Sequence, residues 1–231
     1  MMPYLEAVNL LASYGIELPP ANLVDTPGAA VEAAEQLGYP VVVKAISPDL
    51  SHKSDQGLLR LDLASPESVR LAASELLSAR EWTATPSLAS GNEQRPQHLE
   101  GLLVQKMLPA GVEMIVGVHN DPQFGLLIAL GSGGIWVELL DDLQFRLPPL
   151  NQRQAMTLIQ ETRSWTLLQG FRHFAPADIS ALAQLLVNVS RLTMSESARI
   201  VGLDLNPVIV LPEGQGVGIV DLRLELGGPS S

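Results

Sequence analysis

The sequence predicts an α+β protein built as two lobes, a small α/β lobe followed by a larger one with a mainly antiparallel sheet. Three observations carry that expectation. The β-branched run Val41-Val42-Val43-Lys44-Ala45, bounded by Pro40, reads as a buried strand among helices. Residues 83–98 are polar and rich in Ser, Thr, Pro and Gln, which reads as an exposed linker. Beyond it the pattern changes to four strand-like segments, mostly joined by short turns: Leu102 to Gln105, Met114 to Val118, Phe124 to Leu130 and Ile135 to Val137. The expected division is an N-terminal helix over 1–20, the small lobe over 21–98 and the large lobe over 99–231.

The elements follow from local chemistry. Pro3 suits a first helical turn, Leu5, Val8, Leu11 and Ala12 fall near one face, and Gly15 suits the end. Thr26-Pro27 opens a second helix, with Val31, Ala34 and Leu37 inward and Gly38 closing it. Leu59, Leu61 and Leu63 alternate as in a strand. Ser65-Pro66-Glu67 starts a helix continued by Val69, Ala72, Ala73, Leu76 and Leu77. In the larger lobe Asn151 and Asp178 each cap a helix, the second with Leu182, Leu185, Leu186, Val189 and Leu192 at helical spacing. The chain closes with a hairpin, Leu203 to Leu211 and Val217 to Leu222, around a Pro212-Glu213-Gly214-Gln215-Gly216 turn.

Composition narrows the function. The 231 residues are 46% hydrophobic and 17% charged, with a net charge of −11. That charge argues against a nucleic-acid binder, which needs a basic face. It leaves room for a nucleotide, which needs only a few local cations and a metal. The absence of cysteine excludes disulfides, thiolate zinc sites and cysteine nucleophiles. No apolar run reaches the ~18 residues of a membrane span. Met1-Met2-Pro3-Tyr4-Leu5-Glu6 lacks a signal-type core, so a cytoplasmic protein is expected.

Several residues carry chemistry. Lys44, ending a valine strand, is either a snorkelling edge residue or a charge kept for a ligand. The loop Ser51-His52-Lys53-Ser54-Asp55-Gln56-Gly57 adds a second lysine, and two ammonium groups with loop amides could hold a polyphosphate. Alone, His52 is an ordinary exposed histidine. A neutral imidazole is also a nucleophile toward phosphorus, and Lys53 would favour the neutral form. Asp204 and Asn206 share one face of a strand, and Asp221 could come opposite Asn206 across the hairpin. Such oxygens suit magnesium, and equally a solvated polar face. Glu113 begins a strand and could accept from ribose hydroxyls. Gly131-Ser132-Gly133-Gly134 reads as a tight hairpin turn whose amides could meet phosphate, and Trp136 and Phe145 as packing residues.

Taken in order, these motifs resemble the ATP-grasp region of ADP-forming acyl-CoA synthetases, and within it the beta chain of the acetyl-CoA synthetases. The carriers include Gly38-Tyr39-Pro40-Val41-Val42-Val43-Lys44, His52-Lys53-Ser54-Asp55, Val104-Gln105, Gly111-Val112-Glu113, Asp121-Pro122-Gln123-Phe124-Gly125 and Asp204-Leu205-Asn206-Pro207. The resemblance spans Tyr4 to about Leu226. It implies an ATP-grasp fold with nucleotide between two lobes. ATP or ADP with Mg2+ would be bound, Lys44 and Lys53 contacting phosphates with Ser54 beside them. Gln105, Lys106, Met107 and Leu108 would line the adenine, largely through backbone groups. Glu113 would hold the ribose, and Asn206 and Asp221 the magnesium, with Asp204 close by. His52 would be the catalytic residue that relays a phosphoryl group toward a partner CoA-ligase subunit or fused domain. Three departures stand out: Leu58 follows Gly57 where a second glycine is usual, Lys106 stands where a glutamate is usual, and Gly170-Phe171-Arg172-His173 stands where an arginine-glycine pair is often found. A regulatory region of a fused protein-lysine acyltransferase and a non-catalytic scaffold for the CoA-ligase subunit are the alternatives.

Overall fold

The computed structural model describes residues 2–47, 58–78, 99–133, 142–171 and 175–227. The expected 83–98 linker, the Ile135 to Val137 strand with Trp136, and the loop bearing His52, Lys53 and Ser54 lie outside the described residues. The chain forms two compact units, residues 19–107 and residues 1–18 with 108–231.

The smaller unit is an antiparallel sheet in the order β1-β4-β2-β3, made of β1 (Ala21–Val24), β2 (Val41–Ile46), β3 (Leu59–Leu63) and β4 (Gly101–Lys106). Helices α2 (Pro27–Leu37) and α3 (Pro66–Ser78) supply Ala30, Val31, Ala34, Val69, Ala73 and Leu76 to a core shared with Val41, Val43, Ala45, Leu102 and Val104. Strand alternation then turns Val42, Lys44, Leu103 and Gln105 to the opposite face. Thr26 caps α2 by accepting from the Ala29 amide, and Gly38 ends it at φ 75°, a conformation glycine adopts at little cost.

The larger unit holds a six-stranded antiparallel sheet in the order β10-β8-β5-β6-β7, with β9 also paired to β8. Its strands are β5 (Val112–Asp121), β6 (Gly125–Ser132), β7 (Gln144–Arg146), β8 (Ile200–Val210), β9 (Val217–Ile219) and β10 (Leu222–Leu226). Met114, Val116, Ile128, Leu130, Leu205 and Val208 are fully buried on one face, where α6 (Ile179–Ser195) packs across β5, β6 and β8. Helix α4 (Gln152–Gln160) lies against α6 and starts with a full capping box, Asn151 with Gln154. A short α5 (Trp165–Leu168) follows. Asp178 caps α6 through the Ala181 amide and also accepts from the Gly214 and Gly216 amides, tying the helix to the β8–β9 turn.

The structure departs from the sequence reading at several points. The boundary expected at 98/99 falls instead after Met107, because β4 is inserted between β1 and β2. The N-terminal helix α1 (Tyr4–Ser13) belongs to the larger unit: Asn188 Nδ2 donates to Gly15 O at 2.9 Å and the Met2 amide to Leu224 O at 2.9 Å. Its buried face is Tyr4, Ala7 and Leu11, while Leu5 is exposed. Leu61 is exposed because β3 is an edge strand with a register shift against β2. Strand β1, flanked by prolines and only half-buried, has no alternation to reveal it. The closing hairpin is β8 with two successive partners, β9 and then β10. Phe145, expected to pack, is 41% exposed on edge strand β7.

At Gly111, just before β5, an added Cβ would lie 2.4 Å from Val210 O and 2.7 Å from Ile209 Cγ2. Backbone cannot yield as a side-chain tip does, so Gly111→Ala should cost about 1–3 kcal/mol. For a chain of this size that lowers the melting temperature by roughly 2–4 °C per kcal/mol. An unchanged thermal unfolding midpoint would show that β5 and β8 tolerate parting there.

Candidate functional site

In the larger unit the polar residues gather on the sheet face opposite α6. Leu203, Leu205 and Val208 are buried, so Asp204 and Asn206 point to the other side. On the neighbouring strand Leu222 and Leu224 are buried, which turns Asp221 and Arg223 to that same side. Asn206 and Asp221 are direct cross-strand neighbours: the Asn206 amide donates to Asp221 O at 3.2 Å, and the Val220 amide to Pro207 O at 2.9 Å. Side chains so paired have Cβ atoms roughly 4.5–5.5 Å apart, close enough to share one small ion. Toward β5, Met114 pairs with Val208 and Val116 with Leu205, so Asn206 and Pro207 together face Ile115 in a bulge. Bulges of this kind re-aim side chains beside functional sites. Asp204 faces Gly117 on one side and Arg223 on the other.

Glu113 is exposed on the same face, opposite Ile209. Its carbonyl accepts from the Gly133 amide at 2.8 Å, and a Cβ at Gly133 would come within 2.9 Å of the Glu113 carbonyl carbon. The glycine segment therefore begins pressed against the Glu113 backbone, as no other residue would allow. Among the described residues no three His, Cys, Asp or Glu side chains group closely enough to hold a metal. Magnesium fits this, since one or two carboxylates commonly hold it while substrate phosphates and water complete the shell.

Two neighbours of Asp221 escaped the sequence reading. Tyr4 is 7% exposed, and burial together with the Asp221 carboxylate raises its phenol pKa, so the hydroxyl stays protonated. Arg223 could have been placed beside Asp221 from the alternation Leu222-Arg223-Leu224. Tyr4 had no such signal, because it reaches Asp221 only through the packing of α1 on β10.

In the smaller unit the structure joins two expected residues. Lys44 and Gln105 are each 2% exposed, and Lys44 Nζ donates to Gln105 Oε1 at 3.2 Å. The amide nitrogen of Gln105 is buried without a hydrogen-bond partner among the described residues. A buried lysine next to such an amide is an uncommon arrangement for a purely structural face, since a buried unanswered donor is costly. It suits an anionic, acceptor-rich ligand such as a nucleotide.

Lys106 behaves otherwise. Its ammonium donates to Gly38 O at 2.6 Å and Tyr39 O at 3.0 Å, closing the C-terminus of α2, which has no basic residue in its own last turn. The amides of Lys106 and Met107 already donate to Pro20 O and Pro40 O. Leu108 lies on Gly218, where a Cβ would come within 2.3 Å of Leu108 Cδ1. His52, Lys53 and Ser54 fall outside the described residues.

A family model for the ATP-grasp domain matches residues 1–226. The chain belongs to the ATP-grasp family. Its fold is the ATP-grasp fold, and its relatives are ADP-forming acid–CoA ligases. It is 38% identical to the beta subunit of the ADP-forming acetate–CoA ligase II of Pyrococcus furiosus, over 96% of this chain and 90% of that one. It is 40% identical to the ADP-forming acetate–CoA ligase I of Archaeoglobus fulgidus, but there it spans only 30% of the relative's length. Among solved structures it is similar to the dinucleotide-forming acetyl-coenzyme A synthetase 1 of Ca. Korarchaeum cryptofilum with coenzyme A and Ca-AMPCP. The TM-score is 0.86 at 36% identity, covering 98% of this ATP-grasp chain and 93% of that one. A second complex of that synthetase, with coenzyme A and Mg-AMPPCP, has a phosphohistidine segment pointing towards the nucleotide-binding site; its TM-score is 0.78 at 36% identity, covering 98% and 92%.

Proposed function

We propose that this chain is the nucleotide-handling part of an ADP-forming acyl-CoA synthetase. It transfers a phosphoryl group between ATP–magnesium and His52, and a CoA-ligase subunit or fused region completes the reaction. The observation that carries the reading is the placement of Asn206 directly across from Asp221 on the sheet face opposite α6. The buried Lys44–Gln105 pair supports it, as does the Mg-AMPPCP complex of the Korarchaeum relative.

Lys44 would neutralise phosphate oxygens, with Lys53 and Ser54 of the His-Lys-Ser-Asp motif beside it. Asn206 and Asp221 would hold Mg2+, with Asp204 near, opposite Arg223 on the neighbouring strand. Magnesium, when bound, supplies charge neutralisation on the β- and γ-phosphate oxygens. Glu113 would accept from the ribose hydroxyls. Because the Lys106 and Met107 amides are committed within the unit, the adenine contact of this connection falls to its carbonyls and to Leu108. Lys106 itself contributes by fastening that connection to the end of α2. In the forward phosphoryl step an imidazole nitrogen of His52 attacks the γ-phosphorus. The P–N bond forms as the bond to the β–γ bridging oxygen breaks, and ADP leaves. A partner would then accept the phosphoryl group, so that carboxylic acid, CoA and ATP interconvert with acyl-CoA, ADP and phosphate.

Calorimetric titration with ADP and ATP, with and without magnesium, tests the reading directly. Binding should depend on magnesium. Asn206→Ala and Asp221→Ala should each weaken it, while the double variant should lose little beyond either one, since half a site barely retains the ion. Strictly additive losses would mean that the two side chains bind different things.

A further inference from the structure

The Gln105 carboxamide is fixed from one side and unanswered on the other. Its Oε1 accepts from Lys44 Nζ at 3.2 Å, while its Nε2 is buried with no partner among the described residues. Rotating the amide cannot relieve this, because Nε2 would then meet the Lys44 ammonium, donor against donor. Lys44 therefore locks Gln105 in one orientation and leaves it able only to donate. A buried donor with no acceptor costs stability unless something answers it. The residue shares the face of Lys44, away from α2 and α3, and immediately precedes the Lys106-Met107-Leu108 connection.

We propose that Gln105 reads the purine base, donating an Nε2 hydrogen to ring nitrogen N7. This rests on the nucleotide reading above and names the atom that the residue recognises. The exocyclic amino group of adenine is itself a donor and cannot answer Gln105. Of the ring acceptors, N3 lies toward the sugar and N1 at the far edge. In the anti conformation N7 lies on the side of the 5′-phosphates, and Gln105 is hydrogen-bonded to the lysine assigned to those phosphates. The Lys44–Gln105 contact thus couples phosphate binding to base reading: the cation that meets the phosphate also fixes the polarity of the amide that meets the base.

The probe is 7-deaza-ADP, in which N7 is replaced by C–H, titrated against ADP with magnesium by calorimetry. Wild-type protein should bind ADP about five- to tenfold more tightly than the deaza analogue, the size of one neutral hydrogen bond. Gln105→Met should bind both equally and at the weaker level. Three results overturn the proposal. If wild type does not distinguish the two and Gln105→Met weakens both alike, the amide meets a phosphate oxygen. If wild type does not distinguish them and the variant is unchanged, the amide meets no ligand atom. If wild type binds no ADP at all, the nucleotide reading itself fails, which the ADP titration shows separately. The wild-type comparison needs no variant and stands even if Gln105→Met does not fold.

Discussion

Protein carrying His52→Ala, given ATP–magnesium and the CoA-ligase partner, should form no phosphorylated chain and support no acyl-CoA synthesis. Its ADP affinity and melting temperature should stay close to wild type. The size of the effect follows from the chemistry. A covalent relay splits one transfer into two in-line displacements, and without the nucleophile neither step has a substitute. The sequence neighbours of His52 and Lys53 are polar or glycine: Ser51, Ser54, Asp55, Gln56 and Gly57. On the proposed reading Lys53 would serve twice, favouring neutral imidazole before the transfer and balancing phosphoryl charge after it. Wild-type protein incubated with labelled ATP should yield an acid-labile, base-stable phosphoramidate. If His52→Ala protein runs the complete acyl-CoA reaction at the wild-type rate, the relay role is wrong.

The second large effect concerns Lys44. Removing a charge-assisted phosphate contact should weaken ADP binding about ten- to hundredfold. Both Lys44→Ala and Lys44→Met should show it, the methionine keeping most of the buried volume. Lys44 is 2% exposed. Lys44→Met also removes the buried donor to Gln105 Oε1, which costs about 1–3 kcal/mol of stability. The ligand-free melting temperature of the variant should therefore fall by roughly 2–4 °C per kcal/mol, and the folded variant should lose most of its ADP affinity. Equal ADP affinity in wild type and both variants would remove Lys44 from the site. Unchanged ADP affinity together with a lowered melting temperature would make it a scaffold residue.

The two predictions rest on different kinds of information. His52 is a candidate because the His-Lys-Ser-Asp motif carries the family resemblance, while alone it reads as an ordinary exposed histidine. Lys44 is a candidate because a second lysine, Lys53, follows its valine strand in the next loop. Asn206 and Asp221 were legible for a similar local reason: strand alternation puts each on a known face, and a single hairpin brings two strands together in a register the turn fixes. Their pairing in the structure follows that expectation, with β9 and β10 taking up the two halves of the return.

What the sequence could not supply came from contacts between distant segments. Strand β1 pairs with β4 across most of the smaller unit, and neither segment contains a sign of the other. That insertion moved the unit boundary to Met107. The Lys106 side chain had no legible partner in its chain neighbours, and its ammonium goes to Gly38 O and Tyr39 O, at and just past the Gly38 cap of α2. Tyr4 comes beside Asp221 through the docking of a helix expected to stand apart.

The sequence by itself determined the family and most element types, though not β1, and it named the candidate site residues, because periodicity, caps and short motifs are local properties of the chain. Only the tertiary structure decided which faces those residues share, which backbone groups are already committed, and that Gln105 is held by Lys44 as a donor. Those facts depend on strand order and side-chain burial, which are set by non-local packing.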